Sequence, residues 1–596
     1  VNEARFGWFK DRLYDTVNPA LAPPNGLVGQ LSVQGQGNLG VADFLPRVQP
    51  TEDRFQFADS LTWLTGRHSF KFGGDIAHTR DQIEVLLRGR GAYTYGNFTA
   101  FAQDLTNLDG GKRWQSYRQT FGESYFDVSI RDYNFFVQDQ WRATRRLTLN
   151  YGVRYEYGQF SQPAVANPAY PLTGKVNQPK SNFAPRLGFA LTLDNDAKSV
   201  LRGGWGMFYA RMPGALLANI HQGNGLVQKD LTLQGNVPAD LALGPVFPSF
   251  LPKLDRDPPQ GSVSLGFATA DLQSPYTMQW DLGMERQIDR NTGVTVSYLG
   301  SRGVRFFMSR DLNIGALGPD VTYRILDTAG SQVGSYTTPT YLRANRVDPR
   351  YLRVNILENS GQTWYNALAV QVRRRAGKWA TGLLSYTWSH AQDLNLGAGN
   401  NNLFITSDFH RTLYNGVTES DKGTSNLDLR HRLSMSGLIT PPRIQSDNWA
   451  VKHIVNGWQL SMIATITSTR YTTPTLTVTG GAPFTGAAQN STLNGFGGDN
   501  RVPFAGRMSL PIDDVERVDA RLGKMFNLTE RVGLFLNFEA FNVFGNVNNT
   551  SVFNTAFNAS GGAIRPAAGV GTGSASQGFP DGTNARRAQV SMRVVF

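Results

Sequence analysis

The chain has 596 residues, 40% of them hydrophobic and 17% charged, and a formal net charge of +12. It lacks any apolar run of the roughly 20 residues that a membrane helix requires, and with no cysteine it holds neither disulfides nor thiolate metal sites. A β-barrel survives these exclusions, because its strands need only about 10 residues each with every second one apolar, and a mean hydropathy of −0.32 fits such a pattern.

The opening "VNEARFGWFK" has no charged start followed by an apolar core, so it reads as strand and not as a signal peptide. Alternation at a period of two then recurs along the chain. In "RLTLNYGVRYEY", Leu147, Leu149, Tyr151, Val153, Tyr155 and Tyr157 share one face and Thr148, Asn150, Arg154 and Glu156 the other. "YTMQWDLGME" sets Tyr276, Met278, Trp280, Leu282 and Met284 against Thr277, Gln279, Asp281 and Glu285. "LDLRHRLSMSG" sets Leu427, Leu429, Leu433 and Met435 against Asp428, Arg430, Arg432 and Ser434. "RVGLFLNFEAF" sets Val532, Leu534, Leu536 and Phe538 against Asn537 and Glu539. The chain ends on the same zigzag, "RRAQVSMRVVF". Such segments predict about sixteen strands.

Tight polar turns join the strands in pairs: "LTGRHS", "RATRR", "DNDAKS", "DRNTG", "RAGKW" and "NLTER". Long Gly-, Pro- and Asn-rich stretches separate the pairs, at 80–132, 212–275, 302–363, 469–515 and 543–585. The stretch 440–456 is an exception, long where a short turn is due. One bare rim and one elaborated rim match the short periplasmic turns and long extracellular loops of outer-membrane barrels. A soluble sandwich fits poorly, since structureless loops of such length are foreign to a compact domain. In hydrocarbon an unpaired backbone amide costs several kcal/mol, so a sheet there must close. The expected fold is all-β, a transmembrane antiparallel β-barrel.

Seven segments in order carry a family resemblance: "YNFFVQDQWRATRRLTLNYGVRYEY", "SNFAPRLGFALTLD", "SVLRGGWGMFYAR", "NLDLRHRLSMSGLITPP", "GWQLSMIATITSTRYTTP", "VERVDARLGKMFNL" and "RVGLFLNFEAFNVFGNVNNT". The chain resembles the TonB-dependent receptors of the outer membrane, in particular their Oar-like branch. That resemblance implies a 22-stranded barrel, a plug inside it and a TonB box coupling uptake to the inner membrane. Neither plug, TonB box nor carboxypeptidase-like regulatory domain is visible in the sequence. Residues 1–596 are therefore expected to be the C-terminal part of the barrel, with about six strands upstream; a complete sixteen-stranded passive porin is the alternative. The function implied is energy-coupled uptake of a large or scarce substrate, oligopeptides favoured, with siderophores and oligosaccharides as the family's other cargo. A surface barrel that anchors a partner protein is a reading of a different class.

Local motifs add little. "GQGNLG" at 35–40 matches a dinucleotide fingerprint but neither follows an apolar strand nor opens a helix. The seven histidines are scattered, without H-E-x-x-H, and no nucleophile elbow or P-loop occurs. The reading is a non-enzyme with no catalytic, cofactor or metal site. Inward-phase charges, expected to line the lumen, are Arg154, Glu156, Arg186, Arg202, Asp281, Glu285, Arg430, Arg432, Asp519, Arg521, Glu539 and Arg593. They hydrate the wall, pair across strands and hold a plug, or they mark a path for anionic groups. Trp63, Trp141, Tyr155, Tyr157, Tyr276, Trp388 and Trp458 are expected in the interfacial aromatic girdles. The arginines are spread singly, which argues against nucleic acid. Expected partners are TonB with its inner-membrane energy complex, the barrel assembly machinery, outer-membrane lipids and a surface lipoprotein.

Val590, Met592, Val594 and Phe596 resemble the C-terminal signal by which the assembly machinery recognises barrels. Deleting Phe596 should lower the yield of heat-modifiable barrel in the outer membrane, read on unheated gels; an unchanged yield would refute the assignment.

Overall fold

In the computed structural model, sixteen long strands follow one another in antiparallel pairing along a single sheet. They are β1 (Asn2–Asp15), β2 (Arg47–Thr65), β3 (His68–Val85), β4 (Tyr125–Trp141), β5 (Leu147–Phe160), β6 (Phe183–Thr192), β7 (Ser199–Tyr209) and β8 (Tyr276–Asp289). The second half holds β9 (Thr292–Asp311), β10 (Tyr351–Ala376), β11 (Ala380–Asp393), β12 (His431–Ile439), β13 (Trp458–Thr467), β14 (Val515–Asn527), β15 (Gly533–Phe541) and β16 (Arg587–Val595). The structure describes residues 1–16, 29–33, 37–42, 45, 47–107, 109–254, 258–394, 419–478, 492–495, 500–529, 531–574 and 585–596. Parts of the long stretches 469–515 and 543–585, and of "GQGNLG", lie outside these; its Gly37–Gly40 is a strand. Among the described residues no pairing joins β1 to β16.

The short turns fall where the sequence puts them, and each strand pairs with its neighbour in sequence. β12 begins later than the alternation suggests: a turn at Asn426–Leu427 is followed by Asp428–Arg430 outside the strand, where the Asp428 carboxylate accepts the Ala391 amide (2.6 Å) and the Arg430 guanidinium (3.3 Å). The local pattern continues through these residues, but the side-chain bonds of Asp428 take the place of ladder bonds.

Register carries one apolar face around the sheet. Phe6 stands opposite Phe57, which faces Ile76, then Tyr133, then Tyr157. Leu282 pairs with Tyr298, Tyr298 with Leu368, and Phe538 with Val590. Most of these side chains are exposed, Phe57 at 55% and Leu368 at 39%, as lipid-facing residues must be, while Tyr133 and Tyr157 are half-buried. Trp280 lies flat across Gly300 on the next strand, where a Cβ would stand 2.1 Å from the indole. Glycine there makes room for the ring.

Asp139 breaks the rule, since its register partners Phe70 and Tyr151 lie on the apolar face. It is buried, and its Oδ2 binds His68 Nδ1 at 2.6 Å and the Tyr151 hydroxyl at 2.8 Å. The Trp141 ring stacks on His68 with centroids 5.5 Å apart. A carboxylate bordering lipid is tolerable only when partnered in this way. Asp59 also takes this face, between Ala4 and Gly74, and is exposed. His68→Leu should therefore destabilise the barrel by about 1–3 kcal/mol in denaturant titrations, and adding Asp139→Asn should recover part of the loss.

The long connections are not structureless as the sequence suggests. Residues from three of them build a lobe sheet that runs Gly37–Gly40, Gln30–Val33, Ala92–Tyr95, Ser116–Gly122, Gln228–Gln234 and Val263–Ala268, then joins the upper end of β10 in parallel pairing. Helix α1 (Phe98–Thr106), capped by Asn97, covers a core that includes Tyr93, Tyr95, Trp114, Tyr117 and Phe247. A second lobe sheet takes Gln332–Pro339, Asp320–Leu326, Ala563–Pro566, Thr555–Ser560 and Thr475–Val478 from three other connections, around Tyr323, Leu476 and Ile564. Arg343 Nη1 binds Asp240 Oδ2 at 2.9 Å, joining connection 312–350 to connection 210–275. Buried Arg88 and partly buried Arg118 flank Asp230 at 3.1 and 3.7 Å. Burial alone would raise the Asp230 pKa, but the two guanidinium groups outweigh it and hold the carboxyl below its ordinary range.

Connection 210–275 also turns inward. Helix α2 (Gly214–Gln222) packs Leu216, Leu217 and Ile220 against Phe126 and Val128 of β4 and Phe160 of β5. Those residues have the phase of Asn134 and Glu156, on the polar face. The helix thus covers the inner wall at the mouth. His221, on α2, donates its Nε2–H to Ser161 O (3.0 Å) beside the Phe126 ring, and burial depresses its pKa below 6.5. The detached helix then binds more protons than the docked one, so docking is full above about pH 6.5 and weakens as pH falls below it. Protection factors for amide exchange over residues 214–222, corrected for the intrinsic slowing of exchange in acid, should fall below about pH 6.5, and His221→Asn should flatten that dependence.

Candidate functional site

The polar face of the sheet is the one an outer-membrane barrel turns to its lumen, and register assigns the predicted charges to it. Arg154 and Glu156 of β5 lie opposite Phe136 and Asn134 of β4, and Asn134 lies opposite Asp75 of β3. Arg186 faces Gly206, which faces Gln279, while Asp281 faces Gly204. Arg202 and Glu285 follow the same phase. Farther round, Arg432 pairs with Thr387 and Thr467, Asp519 with Ile463, Arg521 with Ser461 and Glu539, and Arg593 with Phe535. Arg430 lies in the bend just before β12 and continues the phase of Arg432.

Pairing divides these charges into two kinds. Arg154 is held by Glu156 at 2.7 Å and Asp75 at 3.4 Å, and Asn134 Nδ2 donates to the other oxygen of Asp75 at 2.9 Å. Arg517 binds Asp519 at 2.9 Å, and Glu539 accepts from Gln589 at 2.9 Å with Arg521 at 4.0 Å. These are wall struts. Arg202 and Glu285 are looser, 3.9 Å apart and each more than half exposed. Arg186 places its guanidinium 4.6 Å from the centre of the Phe208 ring. With Lys71, Gln138, Asn150 and Arg154 it borders a shallow hollow of about 440 Å³ on the wall. The hollow can take an anionic or hydrogen-bonding group.

Sequence reasoning missed Asp75, Asn134, Lys71 and Arg517. Asp75 follows two glycines in "KFGGDIAH" and Arg517 is the second residue of "ERVDARLG", so both are read only once strand phase is extended past the strongest alternation. The candidate girdle residues all have outward phase. Trp63, Trp141 and Trp458 lie near the short-turn rim, whereas Tyr155, Tyr157, Tyr276 and Trp388 lie near the elaborated rim. From Trp379 in its turn to Trp388 is about nine residues at roughly 3.3 Å each, and a strand tilt of about 40° makes that a band near 23 Å tall. Hydrocarbon of that depth fits between the two rows of aromatics. Among the described residues no cluster of His, Asp and Glu is arranged to hold a metal.

Comparison with known proteins bears on the whole wall. No curated protein matches the sequence. The fold is similar to that of the outer membrane transporter YddB from Escherichia coli, at 13% identity and a TM-score of 0.52, over 100% of this chain and 60% of that one. Looser overlaps include the ferripyoverdine receptor of the outer membrane of Pseudomonas aeruginosa, 8% identical with a TM-score of 0.49 over 100% and 54%. The siderophore receptor PirA from Acinetobacter baumannii is 10% identical, with a TM-score of 0.45 over 99% and 59%. The chain therefore spans little more than half the length of these structures. Residues 1–589 match the sequence model of a family described as an outer membrane beta barrel domain, and the chain belongs to that family.

Proposed function

We propose that the chain forms the C-terminal part of the barrel of a TonB-dependent receptor, which imports a solute bearing anionic groups. The observation that carries this reading is the polar face, where Arg186, Arg432 and Arg593 follow one phase and are not locked into the close carboxylate pairs that hold Arg154 and Arg517. The fold shared with YddB supports it. Under this reading further strands of the same polypeptide join the edges of β1 and β16, because hydrocarbon does not tolerate open edges. A plug fills the lumen and leans on the inner charges, and TonB engages that plug from the periplasm. The two structured lobes present the cargo-binding surface. The geometry gives no preference for oligopeptides: ferric siderophores and acidic peptides carry the same anionic groups.

The complete gene product, in its own outer membrane, should accumulate at least one of two probes, radiolabelled ferripyoverdine or a labelled acidic tetrapeptide, only when TonB is present. The double variant Arg186→Ala, Arg432→Ala should lower that uptake about tenfold, as the loss of one to two charge-assisted hydrogen bonds would. A steady conductance in planar bilayers with TonB-independent accumulation would establish a passive porin instead.

A further inference from the structure

The excursion between β12 and β13, residues 440–457, is the one long connection on the short-turn rim among the described residues. It is built, not slack. Ile444 N donates to Asn456 Oδ1 at 2.7 Å, and Asn456 Nδ2 donates back to Ile444 O at 2.8 Å, clamping its two ends. Asn448 Oδ1 accepts Ala450 N at 2.8 Å and starts the helical turn Val451–Val455. The tip nevertheless exposes apolar side chains: Trp449 at 68%, Ile444 at 56%, Ile454 at 55% and Val455 at 50%. A rigid loop that shows this much apolar surface marks an interaction site.

The direction in which it leans identifies what covers it. Trp458 opens β13 in outward phase, and its Nε1 donates to Ile454 O at 2.8 Å. Lys524 of β14, opposite Trp458 and also outward, donates Nζ to Ile454 O at 2.8 Å and to Asn456 O, with its ammonium 4.7 Å from the Trp458 ring centre. The helical turn is thus tied to the outside of the barrel rim, continuous with the lipid-facing band, and not to the lumen. Arg443, Lys452 and His453 lie among the apolar residues; Lys452 reaches Asp447 at 3.0 Å on an exposed flank, and the His453 ring lies 5.4 Å from that of Trp449. An apolar wedge with aromatic and basic groups at its margin matches the glycerol–phosphate zone of a bilayer.

We propose that residues 443–456 form an interfacial anchor that embeds Trp449, Ile454 and Val455 in the periplasmic leaflet beside the barrel, with Arg443 and Lys452 at lipid phosphates. Residues 1–596 hold no cysteine, so single cysteines placed here in the complete gene product, with any cysteine outside these residues replaced by serine, allow a direct test. Trp449→Cys and Ile454→Cys are each labelled with bimane in the folded protein, which is reconstituted in vesicles of phosphatidylethanolamine and phosphatidylglycerol containing nitroxide lipids. Asp196→Cys, in a short exposed turn on the same rim, is the control. Heat modifiability verifies that each variant folds. Nitroxide near the headgroup should quench both anchor sites severalfold more than the control, and nitroxide deep in the chains should not, as expected for insertion of about 5–10 Å. Quenching equal to the control overturns the proposal. Protection from aqueous iodide that requires high protein density, together with disulfide dimers of the unlabelled Trp449→Cys protein under an added oxidant, also overturns it, in favour of a second copy as the occupant.

Discussion

Everything in this structure depends on the requirement that a backbone in hydrocarbon pair all of its amides. Strands meet it only side by side, so each strand fixes the register of the next, and a slip of one residue would turn every side chain to the wrong medium. The ladder shows where that requirement is strict. Register shifts occur between Val48 and Thr51, between Asp11 and Leu13, and between Gly303 and Met308, all toward the elaborated rim; one more lies between Gln287 and Asp289, beside a short turn. Between the two rows of aromatics the pairing of these strands runs without interruption. Bulges are confined to places where water can satisfy what they leave unpaired.

This separation explains what was legible in the sequence. Alternation and tight turns are local, so the strands, their order and their phase could be read directly, from Phe6 to Val594. The lobes could not. Val263–Ala268 finds its partners in parallel at Tyr351–Leu357, and Thr475–Val478 pairs with Thr555–Ser560, contacts that no local spacing encodes. Leu427–Arg430 shows the opposite failure, a sound alternation overruled by the side-chain bonds of Asp428. Asp139 is a third kind of case. Its phase is outward and was readable, yet the reason a carboxylate is tolerated there lies on two other strands, in His68 and Tyr151.

The lobes are assembled by rules different from those of the wall. Each draws strands from connections far apart in the chain, and ordering them costs conformational entropy that their small cores only partly offset. Deep ion pairs accompany this: Arg346 with Asp311 at 2.5 Å, Arg501 with Asp421 at 2.7 Å and Arg507 with Asp393 at 2.6 Å, all buried. Such pairs contribute little net stability against an apolar alternative, but removing one partner strands a charge and is costly. Their effect is therefore on specificity of pairing between loops. Arg346 ties connection 312–350 to the end of β9, and Arg501 and Arg507 tie connection 468–514 to the end of β11 and the segment that follows it.

The polar face completes the contrast, because its charges differ in what they are free to do. Arg154 is held between Glu156 and Asp75, and Arg517 is bound to Asp519; reorienting either would leave a carboxylate without its partner. Arg186 leans on Phe208, and Arg202 stands 3.9 Å from Glu285 with both exposed, contacts weak enough to be exchanged for a ligand's. A wall built entirely of struts would be inert, and one built entirely of loose cations would repel itself. Alternating the two kinds keeps the sheet stiff while leaving cationic groups exposed at intervals along the polar face. The lobes differ from the wall in the same respect: buried ion pairs fix their connections, whereas the polar face keeps several of its cations in loose contacts.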